Sequence, residues 1–449
     1  MAVALATARS AQRLSPVERI EFLCDPGSVH FIRSQVGDGV VGAAGRVDGR
    51  PVFSFAQDST FAGGSLGTAH AETILRVMQL AGRSGAPIVG FVESAGARMQ
   101  EGLAALGGFG RIFQEHVALS GRVPQISVVT GVSAGGGSYS PALTDFVVMV
   151  EGASMFLTGP GVVREAIGED VDAAALGGTR VHERNGVCDL VASSDLDAAR
   201  LARELLGYLG PSQQLPLPPP TTDPGTLLPT SSRQVYDVRG VVRCVADGGE
   251  FLETAPRWAR NMVTGFCRVE GRPVGVVANQ PRYLGGVIDS AASEKAARFV
   301  RTCSSFGLPL VVLVDTPGFM PGVSQESEGV IRHGASLLRA FAEASVPRLT
   351  VVLRKAYGGA YITMNSKDLG AHLTFAWPGA ELGVMAARQA VGIINRRELE
   401  AAASSHEELA GRYAAEHLGA STAARNGFID EVIAPGETRA RLAWGLATL

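Results

Sequence analysis

Lysine is almost missing from this chain: Lys295, Lys355 and Lys367 are the only three among 40 basic residues. An arginine bias of that kind follows from a GC-rich genome and points to no partner. Basic charge is not in excess either. With 43 acidic residues the formal charge is −3, and no basic domain or stripe stands out, so no nucleic-acid partner is expected. Five scattered cysteines (Cys24, Cys188, Cys244, Cys267, Cys303) form no C-x-x-C pair, which leaves neither a disulfide frame nor a zinc ribbon and fits the cytoplasm. The start lacks the basic, then apolar, then small-residue order of a signal peptide, and no uninterrupted apolar run reaches the ~18 residues of a spanning helix. No membrane contact is expected. There is no G-x-x-x-x-G-K-[ST] and no Gly-Lys pair at all, hence no phosphate loop for ATP. Charged residues make up only 18% against 46% apolar, a balance that calls for extra surface buried between subunits.

What is present is glycine in two related places. Residues 131–145 read GVSAGGGSYSPALTD and residues 354–368 read RKAYGGAYITMNSKD, at a constant offset of 223. Each comes after an apolar β-branched run. A strand that stops at Gly-Gly and restarts as a helix leaves backbone N–H groups unpaired and open to approach, the arrangement that holds an oxyanion. Two of them imply two negative oxygens, or two carbonyls that become negative.

The repetition extends beyond the turns. GRVDGRPVFSFAQD (45–58) returns as CRVEGRPVGVVANQ (267–280), SGAPIVGFVESAG (84–96) as FGLPLVVLVDTPG (306–318), and VPQISVVTG (123–131) as VPRLTVVLR (346–354). The chain is a tandem duplication. Each half alternates strands with helices of ~10 to 15 residues, which predicts βαβ units on a largely parallel sheet and an α/β fold. With 449 residues, the boundaries fall at 1–210 for the first domain, 211–232 for a stiff proline-rich linker, and 233–449 for the second. Residues 1–12 read as a frayed tail. Ser15-Pro16 starts a helix that Asp25-Pro26-Gly27 stops, residues 236–253 give a short helix and turn, and an Ala/Glu-rich helix is predicted over 398–417.

Several motifs fail on inspection. G-D-G-V-V-G at 37–42 matches the dinucleotide fingerprint but leads into a hairpin turning at Asp48-Gly49, not into a helix. G-V-S-A-G at 131–135 has the form of a nucleophile elbow, yet Ala356 stands where Ser133 has its counterpart, and the late histidines His406 and His417 sit in a polar helix. Asp315-Thr316-Pro317-Gly318 resembles a nucleotide switch without a phosphate loop. Glu93 and Asp315 end buried strands and read as turn-capping carboxylates. His70, His116, His182 and His333 have no metal-ligand spacing, so no metal is expected. Lys355, beside Arg354 and Tyr357, suits binding better than imine chemistry with a depressed pKa. No acid, base, nucleophile or metal remains. A reaction whose base comes from its own substrates needs mainly positioning and charge stabilisation.

VFSFAQDSTFAGGSLG, SAGARMQEG, PQISVVTGVSAGGGSYSPALTD, ANQPRYLGGVIDSAASEKAARFVRTC, VDTPGFMPG and RKAYGGAYITMNSKDLGA occur in order. Over about residues 13–440 the chain resembles the β (carboxyltransferase) subunit of biotin-dependent acyl-CoA carboxylases, propionyl-CoA carboxylase type. The resemblance implies two crotonase-like domains, the first on the acyl-CoA side and the second on the biotin side. It implies a hexamer with sites between the N-half of one subunit and the C-half of another. It also implies a separate α subunit with biotin carboxylase and the biotinylated domain, since this chain has no Met-Lys-Met attachment sequence. Carboxybiotin would then release CO2, its ureido nitrogen would take the α-proton of a short-chain acyl-CoA, propionyl-CoA first among them, and the enolate would capture CO2.

By the same resemblance Gly135 and Gly136, with Gly137 beside them, hold the thioester oxygen, and Gly359 and Ala360, with Gly358, hold the biotin ureido oxygen. Ala97, Tyr361 and Ile362 would line the substrate. Ile362 stands where propionyl-type enzymes often carry Asp, which implies a changed or broader acyl preference. Two other motifs depart: SAGARMQEG, where two glycines usually precede Ala-Arg, and MAARQAV (385–391), where a glycine usually comes after Met. The C-terminal segment is also shorter. The alternatives are a malonyl- or methylmalonyl-CoA decarboxylase or transcarboxylase component, or a non-catalytic paralogue within the complex.

Overall fold

The computed structural model describes residues 13–210, 217–218, 220–231, 234–400 and 405–449. The tail expected at 1–12 and most of the first half of the expected linker lie outside them. The chain divides into two compact units, Met1–Gly210 and Pro211–Leu449.

Unit 1 opens with α1 (Pro16–Leu23), whose Ser15 caps the helix in a reciprocal box with Glu18. Its sheet runs β1 (His30–Ile32), β2 (Val40–Val47), β3 (Arg50–Gln57), β4 (Ile88–Ser94), β5 (Gln125–Ala134), β6 (Phe146–Val150) and β8 (Leu190–Ala192), with β7 (Ser154–Phe156) pairing the end of β5. The pairs β1–β2 and β2–β3 are antiparallel and the rest parallel. The β2–β3 turn is Asp48-Gly49, both at positive φ, as a two-residue hairpin turn requires. Every residue of β4 and β6 is buried, the pattern of a parallel strand covered on both faces.

Helices α2 (Thr68–Ser84) and α3 (Leu103–Leu119) cover one face. Their Ile74, Met78, Phe109 and Ile112 form a core with Phe55 and Leu66. After β5 the chain turns into α4 (Gly136–Ala142); α5 (Pro160–Ile167), α6 (Ala173–Gly177), α7 (Thr179–Asn185) and α8 (Asp195–Tyr208) complete the unit.

Unit 2 repeats the plan. Strands β9 (Leu252–Thr254), β10 (Met262–Val269), β11 (Arg272–Asn279), β12 (Leu310–Thr316), β13 (Arg348–Tyr357), β14 (Leu373–Ala376) and β16 (Glu431–Val432) lie in the same order as β1 to β6 and β8, and β15 (Glu381–Gly383) pairs β13 as β7 pairs β5. Its helices are α9 (Val238–Val245), α10 (Ser290–Ser305), α11 (Val323–Glu328), α12 (Val330–Glu343), α13 (Gly358–Thr363), α14 (Ala387–Ile394), α15 (Arg396–Glu400), α16 (His406–Tyr413), α17 (Ala420–Arg425) and α18 (Thr438–Thr448). The α/β duplication expected from the sequence is therefore present.

Two expectations change. The proline-rich stretch is not wholly a spacer: Pro224–Leu227 make a 3-10 turn, and Leu227 and Leu228 pack against the core of unit 2. The helix expected over 398–417 is broken into α15, α16 and a π turn at Ala414–Leu418, with 401–404 outside the described residues. The chain closes instead with α18, whose Leu442 and Leu446 enter the core. Within the broken run Leu409 and Leu418 are the buried residues, one in α16 and one in the π turn.

Candidate active site: two backbone turns

Each turn is prepared by a distortion in the strand before it. Along β4 and β5, Val92 pairs Val129 and then Ser94 pairs Ser133, so β5 inserts extra residues opposite Glu93. In β12 and β13, Val314 pairs Val352 and Thr316 pairs Ala356, the same shift opposite Asp315. A bulge of this kind bends the strand and re-aims the residues beyond it.

In unit 1 the strand then delivers Gly135 at φ +56°, a conformation that favours glycine. Its N–H donates to the Phe156 carbonyl at 3.0 Å. Gly135 is thus tied into the β5–β7 junction, and the donors offered by the turn are Gly136 and Gly137, whose N–H groups belong to the first turn of α4 and have no carbonyl four residues back. Of the expected pair Gly135–Gly136, the Gly135 N–H is taken by this bond to Phe156.

Ser138 Oγ donates to the Ser133 carbonyl at 2.6 Å and lies 2.9 Å from the Phe156 carbonyl. On the next helical turn Ser140 Oγ meets His116 Nε2 at 2.7 Å, while His116 Nδ1 meets Gln125 Oε1 at 2.7 Å. Burial holds the His116 imidazole below its ordinary pKa, and its two ring contacts pin α4 to α3. The expectation that His116 is a satisfied histidine holds.

Ala97 is half-buried and bridges Leu66. Its neighbour Arg98, which sequence reasoning passed over, fixes the loop: it reaches Asp38 at 2.6 Å, Glu101 at 3.0 Å and the Ser65 carbonyl at 2.9 Å. The Arg98 and Glu101 pair three residues apart after SAGA was its one visible signal.

In unit 2, Gly358 sits at φ +60° and Gly359 and Ala360 occupy the first turn of α13. At the 223 offset they match Gly136 and Gly137. A cavity of about 520 Å³ opens beside them, walled by Tyr361, Ile362, Leu382, Val384 and Phe428. Burial pushes the Tyr361 phenol up to about 12. Phe319 bridges Ile288 where Ala97 bridges Leu66, so an aromatic ring replaces a methyl beside the second turn.

Several candidates take other places. Ser133 is fully buried and its hydroxyl has no partner among the described residues, which suits packing and not nucleophilic attack. Glu93 and Asp315 do not cap turns; each is buried in an ion pair, with Arg13 and Arg19 in one case and Arg354 in the other. Burial raises the Asp315 pKa although Arg354 opposes the shift. Lys355 has its pKa lowered by burial, with the Arg354 charge adding to it, contrary to the sequence expectation. His70 is buried against Gln57 at 3.1 Å. Among the described residues no group of three His, Cys, Asp or Glu could hold a metal, and no helix is long and apolar enough to cross a membrane.

Two mostly parallel sheets, each delivering a turn of backbone donors at the start of a short helix, have the arrangement that can stabilise an oxyanion. The chain belongs to the carboxyl transferase domain family, which matches residues 8–449. It is 44% identical over 460 residues to the putative propionyl-CoA carboxylase beta chain of Bacillus subtilis, covering 98% of this chain and 91% of that protein. It is 46% identical over 453 residues to the biotin-dependent acetyl-/propionyl-coenzyme A carboxylase beta6 subunit of Mycobacterium tuberculosis, covering 98% and 96%. The transcarboxylase 12S structure, solved as a hexamer with methylmalonyl-coenzyme A and methylmalonic acid bound, superposes with a TM-score of 0.92 at 42% identity over 97% of this chain and 90% of that one. Fold and activity class are therefore a crotonase-like acyl-CoA carboxyltransferase.

Proposed function

We propose that this chain moves a carboxyl group from carboxybiotin, carried on a partner α subunit, to the α-carbon of a short-chain acyl-CoA, and that it works as a hexamer. The observation that supports this most is the repeated bulge and turn: the same strand distortion precedes Gly136–Gly137 and Gly359–Ala360. In this reading unit 1 is the acyl-CoA side and unit 2 the biotin side. The residues fit a ureido group, because the second turn offers two adjacent N–H donors above an apolar cavity, and a Cβ built on Gly359 would meet nothing closer than Phe319 at 3.8 Å. When bound, carboxybiotin supplies both the CO2 and the base.

This chain's own part is electrostatic. The N–H groups of Gly136 and Gly137 hold the thioester oxygen as the α-proton leaves and charge builds on the enolate. Each such donor contributes about 3 kcal/mol to the transition state. Ala97, on the loop fixed by Arg98, flanks the acyl-CoA. Gly359 and Ala360 hold the ureido oxygen, and Ile362 and Tyr361 shape the space around the acyl chain.

The aliphatic Ile362, 44% exposed in the cavity wall, favours uncharged acyl chains from acetyl to butyryl over strict propionyl selectivity. The test is an acyl-CoA panel with a biotinylated α subunit, ATP and bicarbonate, run beside Ile362→Asp. Absence of carboxylation across acetyl, propionyl, butyryl and longer thioesters would sink the proposal.

The likeness to transcarboxylase 12S favours a second reading, in which the same half-reaction runs backwards from methylmalonyl- or malonyl-CoA. Carboxyl transfer onto free biotin without any forward activity selects it.

A further inference from the structure

The two bulges hold their acids with guanidinium groups of different origin. In unit 2 the partner is built into the strand: Arg354 lies within the inserted segment of β13, its Nε 3.0 Å from Asp315 Oδ2 and its Nη1 donating to the Gln234 carbonyl at 2.8 Å, just ahead of α9. The residue at the same place in β5 is Gly131. There the guanidinium arrives from outside the sheet. Arg13, from the segment ahead of α1, pairs through Nη2 with Glu93 Oε1 and reaches the carbonyl of Thr130, within the bulge, at 3.4 Å.

Arg19 backs the other carboxylate oxygen at 3.5 Å and is itself held by Asp195 at 2.9 Å. A Cβ added at Gly131 would overlap the Arg13 guanidinium and come within 2.5 Å of Glu93 Oε1. A side chain at 131 and the Arg13 guanidinium therefore compete for one space. The halves have exchanged the source of the same charge.

We infer that Arg13 is a positioning residue for the first turn. It clamps the β5 bulge by joining Glu93 of β4 to Thr130 of β5, a few positions before the Gly136 and Gly137 donors, and it touches no reacting atom. The catalytic half of this statement rests on the reading of that turn as an oxyanion hole; the clamp itself does not.

The test uses the full chain and two readouts. Hydrogen exchange by mass spectrometry tracks the peptide over 131–138, which contains the Gly135 N–H bonded to Phe156, with the peptide over 354–361 as internal control. Steady-state kinetics track carboxyl transfer from malonyl-CoA to free biotin.

Arg13→Ala is expected to speed exchange at 131–138 about tenfold, the scale set by losing one charge-assisted hydrogen bond, and to leave 354–361 unchanged. It should lower kcat about tenfold with KM steady, the pattern of a contact that matters only in the transition state. Arg13→Lys should recover part of both effects.

Unchanged exchange at 131–138 in Arg13→Ala overturns the inference. Equal loss of protection at both turns also overturns it, since that is general destabilisation. A wild-type chain that transfers no carboxyl group refutes the oxyanion reading and with it the catalytic half, while the exchange readout still decides the clamp.

Discussion

The two turns share a backbone plan but differ in what crowds them, and alanine exposes the difference. Neither Gly136 nor Gly359 has a positive φ, so alanine is allowed by the backbone at both. At Gly136 the new methyl would lie 2.8 Å from Phe109 Cδ2 and 2.9 Å from Cγ, against a ring only 4% exposed that has nowhere to move. At Gly359 the nearest atoms are Phe319 Cε2 at 3.8 Å and Cδ2 at 3.9 Å, ordinary contact.

Overpacking a tight core site costs about 1–3 kcal/mol, and at roughly 2–4 °C per kcal/mol for domains of this size Gly136→Ala should lower the melting temperature by about 2–12 °C. The displaced α4 also carries the donors, so kcat for carboxyl transfer should fall by about 100-fold. Gly359→Ala should melt within about 1 °C of the parent. Calorimetry and the malonyl-CoA to free biotin assay report the two effects. Equal destabilisation by the two substitutions would refute the argument, because it would mean that Phe109 yields as easily as Phe319.

Neighbouring contacts give further expected outcomes. A methyl on Gly137 would come 3.1 Å from Ser133 Oγ, whereas Ala360 in unit 2 faces a half in which Ala356 replaces that serine; Gly137→Ala should therefore destabilise, and Ser133→Ala should relieve it in a double-mutant cycle. His70, enclosed by Gln57 with Asp38, Arg98 and Glu101 nearby, has its pKa lowered by burial from 6.5 to about 4. The unfolded chain binds this proton first, so the stabilisation is full above pH 6.5 and is lost as pH falls through 4, amounting to about 3 kcal/mol. Denaturant melts across that window should show the slope, and His70→Gln should flatten it. Ile362→Asp, which puts a carboxylate in the cavity wall, should narrow the acyl panel and reduce the longer chains at least about tenfold, read as the ratio of kcat/KM values.

Most of the architecture was legible because it is written twice. The hairpin, the buried acid-ended strand and the Gly-Gly turn recur with matching offsets, and the structure gives them matching strand orders. What escaped sequence reasoning depends on register and on distance along the chain. The bulges opposite Glu93 and Asp315 insert residues without any compositional mark, so the acids looked like turn caps. Arg13 stands 80 residues from Glu93, and nothing local connects them. Likewise the spelling Gly135-Gly136-Gly137 does not say which N–H the strand consumes; that is decided by β7, through the Phe156 carbonyl.

Under the proposed function, duplication lets one design serve two substrates. Both halves keep the bulge, the buried acid and the start of a helix, because those together aim two N–H groups. The surroundings have diverged. Unit 1 packs its turn tightly beneath Phe109 and borrows its guanidinium from the segment ahead of α1, whereas unit 2 builds the arginine into the strand and leaves a cavity of about 520 Å³ beside the turn. A crowded turn suits a small carbonyl that must be held rigidly while charge develops on it, and an open one leaves room for a bicyclic ring beside the end of the acyl chain that Ile362 faces. Under that division of labour, enlarging the space at the first turn should cost turnover before affinity, and filling the cavity at the second should do the reverse. Phe109→Leu compared with Val384→Trp puts the two halves to that test: kcat should fall for the first, KM for free biotin should rise for the second, and a KM effect at the first turn would show that the halves have not specialised in this way.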